Sequence, residues 1–482
     1  MKRFGAAVLA FLVAAAAPLA AAERPDRLSQ RLAGGPAGAQ YAVWVYLKDK
    51  GPVAEAMALA AGTINARALA RRAARGRLRT VTLADAPMRY EYVAAVAAAS
   101  TRVRNVSRWL NAVSVEATPA QVAALEALPF VVRVDMVRRY RQRREELDLR
   151  AAAAEAVEPM RKASTLDYGS SFAQLNQIKV PFLHDLGLDG RGVIVAVLDA
   201  GFNNLPHEVF ATTSILATRD FVNGDVGVAD GDVGEGSHGT ATLSVLGGYR
   251  PGQLIGPAYA ASFLLAKTEN TESETPVEED NWAAAAEWAE SMGADVISSS
   301  LGYLDYDRPF TSYTAADMNG DTAISTRAAD LAGERGVVVV NSAGNEGFSS
   351  SSNTLGAPAD GNLVLAVGAV TSSGTRASFS SVGPSADGRI KPDVAADGVS
   401  VKVAAPNGTA AYATASGTSF SCPLTAGVVA LLLQANPSAT VDQVFQALRS
   451  TASQAGRPDN LLGYGIVDAL AALRVIAPQR LP

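Results

Sequence analysis

From residue 193 onward, short apolar runs alternate with stretches in which apolar residues recur at helical spacing. The apolar runs predict strands at 193–198, 262–267, 296–300, 337–341 and 363–367. The other stretches predict helices from Gly239 and over 278–292, 322–336 and 419–434. Strands and helices that alternate in this way are typical of a parallel sheet, because each parallel connection must cross over the sheet. We therefore predict an α/β domain built on a doubly wound, mostly parallel sheet.

The N-terminal part of the chain has a different pattern. A strand is predicted at 41–47, and an Ala/Arg-rich helical stretch follows at about 64–78. A second strand at 112–117 leads to Thr118 and Pro119, a good N-cap and first helical position. Pro129 ends that helix before a strand at 130–134. Strand, helix and strand in this order predict a small α+β domain that precedes the parallel sheet.

The first residues have the pattern of an export signal. Met1, Lys2 and Arg3 precede an apolar run that ends in three alanines at 20–22, so we expect cleavage after Ala22 and a secreted protein, extracellular or periplasmic. A membrane anchor is the alternative, but Pro18 interrupts the weakly apolar run, and we expect no membrane span in the mature form. Residues 138–163 are polar and poor in large apolar residues, which predicts a linker in which processing occurs.

Charge is distributed unevenly along the 482 residues. Residues 1–163 contain 26 Lys and Arg against 14 Asp and Glu, whereas residues 164–482 contain 16 against 33. Oppositely charged parts attract, which favours docking of the basic N-terminal part on the acidic remainder. The arginine-rich stretches also suit nucleic acid, but an exported chain would not meet it. The single cysteine, Cys422, excludes an internal disulfide and is predicted to be buried.

Three separate motifs contain the groups of a nucleophilic hydrolase. Asp199 ends a predicted strand, His238 lies in Ser-His-Gly-Thr, and Ser419 lies in Gly-Thr-Ser. A serine hydroxyl becomes a good nucleophile when an imidazole removes its proton and a carboxylate holds that imidazole. The other two histidines, His184 and His207, lack the following Gly-Thr and are interpreted as ordinary surface or turn residues.

These motifs, together with residues 341–347 and the segment 112–134, resemble the subtilisin-like serine protease (subtilase) family. The resemblance implies a serine endopeptidase that forms an acyl-enzyme, acts on proteins or peptides and is made as a self-processed precursor. It also implies an inhibitory propeptide and a monomeric enzyme. The expected division is a signal peptide at 1–22, a propeptide domain at 23–137, a linker at 138–163 and a catalytic domain at 164–482.

The resemblance also assigns further site residues. Asn345 matches the side chain that stabilises the oxyanion, with Thr418 assisting. Ala200 stands where the family usually has Thr or Ser, so one hydroxyl beside Asp199 is missing. A cis bond is expected between Ala357 and Pro358. The residues expected to flank the substrate are Ser300, Leu301, Gly302, Ser342, Ala343, Gly344 and Gly356.

Other functions and ligands remain open at this stage. The missing hydroxyl leaves room for a non-catalytic binding protein of the same fold, and a peptide ligase or transferase would use the same acyl-enzyme. We expect no required cofactor. Residues 317–321 resemble the start of a calcium loop but lack its terminal Glu, so structural calcium has weak support. A solvated acidic loop, or less simply a site for basic substrate residues, is expected from Glu269, Glu272, Glu274, Glu278, Glu279 and Asp280.

Overall fold

The computed structural model describes residues 22–137, 165–229, 236–270, 278–304 and 313–481, and a two-residue strand at 147–148. The predicted signal peptide, apart from Ala22, lies outside the described residues. So does the predicted linker, apart from that strand. Within the described residues, 22–137 form one domain, here called the N-terminal domain, and 165–481 form a second, the C-terminal domain.

The N-terminal domain is built on a four-stranded antiparallel sheet in the order β2-β3-β1-β4. Its elements in chain order are α1 (Asp26–Gly34), β1 (Tyr41–Leu47), α2 (Val53–Ala60), α3 (Ala66–Arg75), α4 (Tyr90–Ala98), β2 (Arg102–Ser107), β3 (Ala112–Ala117), α5 (Pro119–Glu126) and β4 (Val131–Met136). Thr118 and Gln121 form a capping box at the start of α5, in agreement with the predicted N-cap.

The C-terminal domain is built on a seven-stranded parallel sheet in the order β14-β13-β12-β11-β6-β10-β7. Its helices are α6 (Phe172–Gln177), α7 (Val180–Asp185), α8 (Ser237–Gly247), α9 (Glu278–Ser291), α10 (Ile324–Glu334), α11 (Thr418–Ala435), α12 (Val441–Thr451) and α13 (Ala469–Ile476). The two-residue strand β5 (Leu147–Asp148) precedes this domain in the chain. The strands of the domain are β6 (Ile194–Asp199), β7 (Ser214–Asp220), β8 (Tyr249–Arg250), β9 (Leu254–Ile255), β10 (Ser262–Lys267), β11 (Val296–Ser299), β12 (Val338–Ser342), β13 (Val364–Val370), β14 (Val394–Asp397), β15 (Val401–Ala404) and β16 (Tyr412–Ala415).

Helices cover both faces of this sheet, and the central strand β6 shows why. Val195 and Val197 belong to the apolar cluster that contains α8, α11, α12 and α13, while Ala196 and Leu198 belong to the cluster that contains α9 and α10. Alternate residues of a strand point to opposite faces, so a strand covered on both sides is apolar throughout. The prediction of a doubly wound parallel sheet, preceded by a small α+β domain, is confirmed.

The longest helix, α11, crosses one face of the sheet. It is long and apolar enough to span a membrane, but 94% of it is buried inside the protein. Its apolar residues pack against β11, β12 and β13, so α11 is a core helix. Its N-terminus lies near the carboxyl ends of these strands, where doubly wound sheets form their ligand crevice.

The sheet of the N-terminal domain is buried on both faces. On one face, Val43 and Val45 of β1 pack with its own helices α1, α4 and α5. On the other face, Ala42 and Trp44 share an apolar cluster with α9 and α10 of the C-terminal domain. A single strand therefore contributes alternate side chains to two cores, and one of those cores joins the two domains.

Candidate active site

Asp199 is the last residue of β6 and is fully buried. Its Oδ1 accepts hydrogen bonds from the Ala200 backbone N–H at 2.7 Å and from Nδ1 of His238 at 2.6 Å. Its Oδ2 accepts a hydrogen bond from the Thr242 hydroxyl at 2.8 Å. Both oxygens are thus held by donors, which fixes the orientation of the carboxylate and, through it, that of the imidazole.

His238 is the second residue of α8, and glycines let this helix come close to β6. A Cβ on Gly239 would lie 2.2 Å from the Gly201 carbonyl oxygen and 3.1 Å from the Asp199 Cβ. Gly201 itself has a φ of 128°, in the region that favours glycine. Gly239 and Gly201 are therefore required by the close approach that brings imidazole and carboxylate together.

Ser419 is the second residue of α11, and the residue after it, Phe420, lies near the same imidazole. The rings of His238 and Phe420 are 6.1 Å apart between centroids. The Ser419 hydroxyl donates to the Ser300 carbonyl at 3.3 Å, and the Ser300 hydroxyl donates to the Ser419 carbonyl at 2.7 Å. The first backbone N–H groups of a helix have no partner within the helix and attract negative charge. An anion that formed at Ser419 would therefore lie at a favourable helix end.

Asn345 follows β12 and reaches the same helix end. Its side-chain oxygen accepts hydrogen bonds from the Thr418 backbone N–H at 2.9 Å and from the Thr418 hydroxyl at 3.0 Å. These two bonds leave the amide nitrogen as the donating half of the side chain. Thr418 thus holds Asn345 against α11, next to Ser419.

The structure brings together the three segments that the sequence assigned to substrate binding. The Ser342 hydroxyl donates to the Leu301 carbonyl at 3.3 Å, and the Gly356 backbone N–H donates to the Ala343 carbonyl at 3.2 Å. A Cβ on Gly356 would lie 3.1 Å from the Gly302 Cα, so a side chain there would press on the neighbouring segment. Gly344 donates its N–H to the Thr418 hydroxyl at 3.3 Å, which joins these segments to α11. The expected cis bond at Ala357-Pro358 is present.

The two remaining histidines are structural, but the expectation that they are surface residues is wrong. His184 is buried, with Nδ1 bonded to the Tyr168 hydroxyl at 2.7 Å and Nε2 to the Pro257 carbonyl at 2.8 Å. His207 is also buried and accepts a hydrogen bond from the Val209 N–H at 3.1 Å. The rings of both histidines pack against aromatic side chains in the core. The residues next to them in the sequence do not predict this burial.

The expectation of a solvated acidic loop is wrong for the members of the cluster that the structure describes. Glu269, Glu279 and Asp280 are buried. The Tyr303 hydroxyl donates to Glu269 at 2.6 Å, and the Tyr313 hydroxyl donates to Glu279 at 2.8 Å. Buried carboxylates require such donors, and these donors come from distant parts of the chain. Glu272 and Glu274 lie outside the described residues, as does the Glu278 side chain.

Residues 317–321 do not fit a calcium loop. One carboxylate oxygen of Asp317 accepts hydrogen bonds from the backbone N–H and the hydroxyl of Thr314, both at 2.8 Å. Asn319 accepts a hydrogen bond from the Asp321 N–H at 2.9 Å. These contacts close two local turns. Within the described part of the chain, no group of three or more His, Cys, Asp or Glu side chains could hold a metal ion. Cys422 is buried, as predicted, and burial raises the pKa of its thiol to about 12.

Comparison with known proteins decides the family. Residues 190–465 match the subtilase family, and residues 42–151 match the peptidase S8 propeptide domain of Bacteroidota. The chain belongs to the subtilase family. It is a subtilisin-type serine endopeptidase with a propeptide domain, and the resemblance inferred from its motifs is confirmed.

Individual relatives agree with this assignment. Subtilisin E of Bacillus subtilis is 34% identical over 311 residues, which cover 64% of this subtilase and 72% of the relative. M-protease of Shouchella clausii is 32% identical over 361 residues, 75% of this chain and 79% of the relative.

Two solved structures are similar in fold. Fervidolysin from Fervidobacterium pennivorans matches with a TM-score of 0.62 and 22% identity over 90% of this chain, which spans only 61% of fervidolysin. The structure of MycP1 without its N-terminal propeptide matches with a TM-score of 0.50 and 26% identity, over 62% of this chain and 96% of MycP1. The first of these likenesses concerns the fold alone.

One site residue, Thr242, was not identified from the sequence. Its hydroxyl supplies Asp199 with the hydrogen bond that Ala200 cannot make. The available signal was its position four residues after His238, because residues four apart on a helix project from the same face. The hydroxyl that the sequence appeared to lack therefore comes from α8.

Proposed function

We propose that this subtilase cleaves peptide bonds through an acyl-enzyme, with Ser419 as nucleophile, His238 as general base and Asp199 as the carboxylate that orients the imidazole. The hydrogen bond of 2.6 Å between His238 and Asp199, beside the N-terminus of the helix that contains Ser419, is the observation that supports this assignment most strongly. Nδ1 of the imidazole is engaged by Asp199, so Nε2 is the nitrogen that serves the serine.

The reaction has two stages. The Ser419 oxygen forms a bond to the substrate carbonyl carbon while its proton passes to Nε2 of His238. The C–N bond of the peptide then breaks, and the leaving amine takes that proton. In the second stage a water molecule gives a proton to His238 and its oxygen attacks the acyl carbon. The ester bond between the acyl carbon and the Ser419 oxygen then breaks, the Ser419 oxygen takes the proton back from His238, and the acid is released. Asp199 stabilises the positively charged imidazole in both stages.

Asn345 and the backbone N–H of Ser419 are the proposed donors to the oxyanion of the tetrahedral intermediate. Thr418 binds the side-chain oxygen of Asn345, which supports a fixed amide whose N–H2 faces the reaction. Donors that are already in place need no reorganisation when charge develops, and such electrostatic stabilisation is often a large contribution to catalysis.

The substrate is proposed to bind as an extended peptide against 300–302 and 342–344, with Gly356 in the floor of the first specificity pocket. Main-chain pairing of this kind depends little on sequence, which is consistent with a broad range of protein or peptide substrates. The proposed chemistry uses side chains of this chain alone.

Maturation and export complete the proposal. The N-terminal domain is proposed to inhibit the enzyme until the chain is cut within 138–163 by the enzyme itself. The basic start and apolar run of residues 1–22 support secretion.

Intact-mass measurement of the wild type beside Ser419→Ala tests this proposal. We expect the wild type to lose its N-terminal portion and the variant to keep it, because only the wild type has the nucleophile. Ser421→Ala is the matched control, since it removes a hydroxyl with no hydrogen-bond partner from the same helix turn and should mature normally.

A Ser419→Ala chain that shortens like the wild type would contradict self-processing. A wild type that never reacts with an active-site phosphonate would favour a binding protein. Products joined to an added amine would favour a ligase or transferase.

A further inference from the structure

Residues 53–86, here called the arm, form a second contact between the propeptide domain and the catalytic domain. The arm lies between β1 and α4 and contains α2 and α3. Its own apolar cluster has only three buried residues, Ala56, Ala60 and Ala86. Four arginines of α3, and Arg77 just after it, instead reach carboxylates and carbonyl groups of the catalytic domain. So small an apolar core suggests that the arm is held mainly by these polar contacts.

The arm docks at the end of the sheet that lies opposite to the proposed triad. Asp295 precedes β11 and accepts a hydrogen bond from the backbone N–H of Ile194, the first residue of β6, at 2.9 Å. Asp199 is the last residue of β6. At roughly 3.3 Å per residue, the two ends of this strand are about 16 Å apart. The arm therefore binds the catalytic domain without approaching the reaction centre.

Two arginines of α3 bind Asp295 from two sides. Arg75 Nη2 donates to Asp295 Oδ1 at 2.7 Å, and Arg67 Nη2 donates to Asp295 Oδ2 at 2.5 Å. Arg75 also donates to the Gly336 carbonyl at 2.8 Å, just beyond α10. These contacts join α3 to the turns that precede β11 and β12.

Arg71 and Arg72 bind Glu290, near the end of α9. Arg72 donates from Nε and Nη2 to the two oxygens of Glu290, at 2.9 and 2.7 Å, and both side chains are 0% exposed. Arg71 pairs with the same carboxylate and donates to the Ala294 carbonyl at 2.5 Å. A bidentate, fully buried pair of this kind depends on both partners remaining in place.

Asp85 of the arm completes the network. It accepts hydrogen bonds from Arg72 at 2.9 and 3.0 Å and from Arg335 Nε of the catalytic domain at 3.1 Å. All three side chains are fully buried. Arginines and carboxylates thus alternate across the boundary between the domains, and release of the arm would leave Glu290 without its two arginines.

The sheet of the propeptide domain makes a further contact with the catalytic domain, along α9. Asp280 accepts hydrogen bonds from Ser114 at 2.5 Å and Asn105 at 3.2 Å. Glu287 accepts from the backbone N–H groups of Arg108 at 3.1 Å and Trp109 at 3.3 Å. The two contacts belong to one covalently continuous chain segment, so each raises the effective concentration of the other.

We propose that the arm is a second docking element, which binds a site formed by Glu290, Asp295 and the carbonyl groups at the amino ends of β11 and β12. The part of the arm that occupies this site is α3, an α-helix with arginines on one face, at positions 67, 71, 72 and 75 of the chain. The arm holds the propeptide on the catalytic domain after the connecting chain is cut, and so delays the appearance of activity. Only this delay rests on the proposed function; the docking itself does not.

The docking is tested without catalysis. The full-length Ser419→Ala chain receives a recognition sequence for an unrelated protease within 138–163 and is cut there after folding. The dissociation constant of the two fragments is then measured with the catalytic fragment immobilised through its C-terminus. Arg72→Met should raise this constant by about 100-fold or more, because it leaves Glu290 buried without a bidentate partner.

Two further variants locate the effect. Glu290→Gln changes the same pair from the catalytic side and should also weaken binding by at least about tenfold. Arg77→Met is the matched control, because Arg77 and Asp442 form an ion pair in which the side chains are 54% and 59% exposed. Its effect should stay below about fivefold, as for other exposed pairs.

Binding that changes by less than about fivefold in both Arg72→Met and Glu290→Gln overturns the proposal. So does weaker binding in Arg72→Met with unchanged binding in Glu290→Gln, since the effect then lies inside the propeptide domain. A wild type that fails to process itself, with the dissociation constants as expected here, refutes the proposed function and leaves the docking site intact.

Discussion

A buried aspartate lies at each end of β6: Asp199 is its last residue, and Asp295, which precedes β11, binds the N–H of Ile194 at its start. The two aspartates have different partners. At the carboxyl end, Asp199 holds a histidine and a threonine. At the amino end, Asp295 holds Arg67 and Arg75. Histidine gains and loses a proton near neutral pH, whereas arginine stays charged at all ordinary pH values. In the proposed function, the same type of acidic side chain therefore supports proton transfer at one end of the strand and binding of the arm at the other.

The two ends also differ in what covers them. At the carboxyl end, the proposed triad and oxyanion donors all belong to the catalytic domain. The amino end is covered by the arm, which belongs to the propeptide domain. Reacting groups that come from the catalytic domain suit a reaction that continues after the proposed processing, and an end of the sheet that is covered by the propeptide suits inhibition and its timing.

The same substitution at each end gives the largest contrast. Asp199→Asn should lower kcat by about 10⁴-fold, a magnitude measured for the corresponding aspartate in serine proteases that include subtilisin, a relative of this protein. The amide donates a hydrogen bond where the carboxylate accepts one, so the imidazole loses its orientation. The measurement is steady-state hydrolysis of a chromogenic peptide by the processed enzyme.

Asp295→Asn is the matched variant at the other end. The asparagine oxygen can still accept the hydrogen bond of Ile194, so kcat of the processed enzyme should stay within about threefold. Release of the propeptide should be faster, because two arginines lose their charged partner. Equal losses of kcat in the two variants would remove the distinction between the ends.

Activity and binding of the arm should respond differently to acid, because the two ends of the sheet have different titratable groups. The activity should fall as the pH is lowered from neutral, because the proposed general base must be a neutral imidazole to accept the serine proton. The arm should stay bound over the same range. Burial alone would raise the pKa of Asp85, but hydrogen bonds from Arg72 and the charge of Arg335 hold this pKa below its usual value.

The lowered pKa of Asp85 determines how binding of the arm depends on pH. A carboxyl whose pKa is lower in the folded protein stabilises it fully above its unfolded value, about 3.9, and this contribution is lost as the pH falls further. We therefore expect the cut Ser419→Ala complex to remain associated at pH 5, as measured by size-exclusion chromatography, and to separate only below about pH 4. Dissociation that follows the loss of activity would contradict separate titrations.

Sequence reasoning succeeded where the pattern of apolar and polar residues is determined by a single helix or strand. Five of the seven strands of the parallel sheet were predicted, because residues such as those of β6 are apolar on both faces; the edge strands β7 and β14 were not predicted. The helix α5 was predicted from its N-cap and Pro119. Asp199, His238 and Ser419 were proposed because each stands in a short motif with glycine. For the first two, Gly201 and Gly239 allow close backbone contacts that are visible in the structure.

Sequence reasoning failed for side chains whose hydrogen-bond partners lie far away in the sequence. β2 (Arg102–Ser107) was not predicted, because its arginine and asparagine side chains are paired with Asp280, about 175 residues away. Glu279 was expected in solvent, since nothing near it in the chain shows that Tyr313 and Ser325 would bind it. The arginines of α3 were correctly expected to help docking through their charge, but the burial of three of them depends on carboxylates from the other domain.

The smallest expected effect concerns the hydroxyl that supports Asp199. Thr242→Val keeps the shape of the side chain and removes the hydrogen bond to Asp199 Oδ2, which Ala200 cannot replace. A hydrogen bond to a charged group is worth about 1.5–3 kcal/mol, and part of this is retained through the Ala200 N–H and His238, so kcat should fall by about tenfold. KM should not change, because Thr242 lies behind the carboxylate and away from the proposed substrate segments.

Thr242→Ser restores a hydroxyl and should restore most of kcat. A purely structural role for the threonine would instead lower stability in both variants and leave kcat of the folded enzyme unchanged. Equal kcat values in the valine and serine variants, measured beside their thermal unfolding, would show that Asp199 is adequately held by two donors and that Thr242 contributes only to packing.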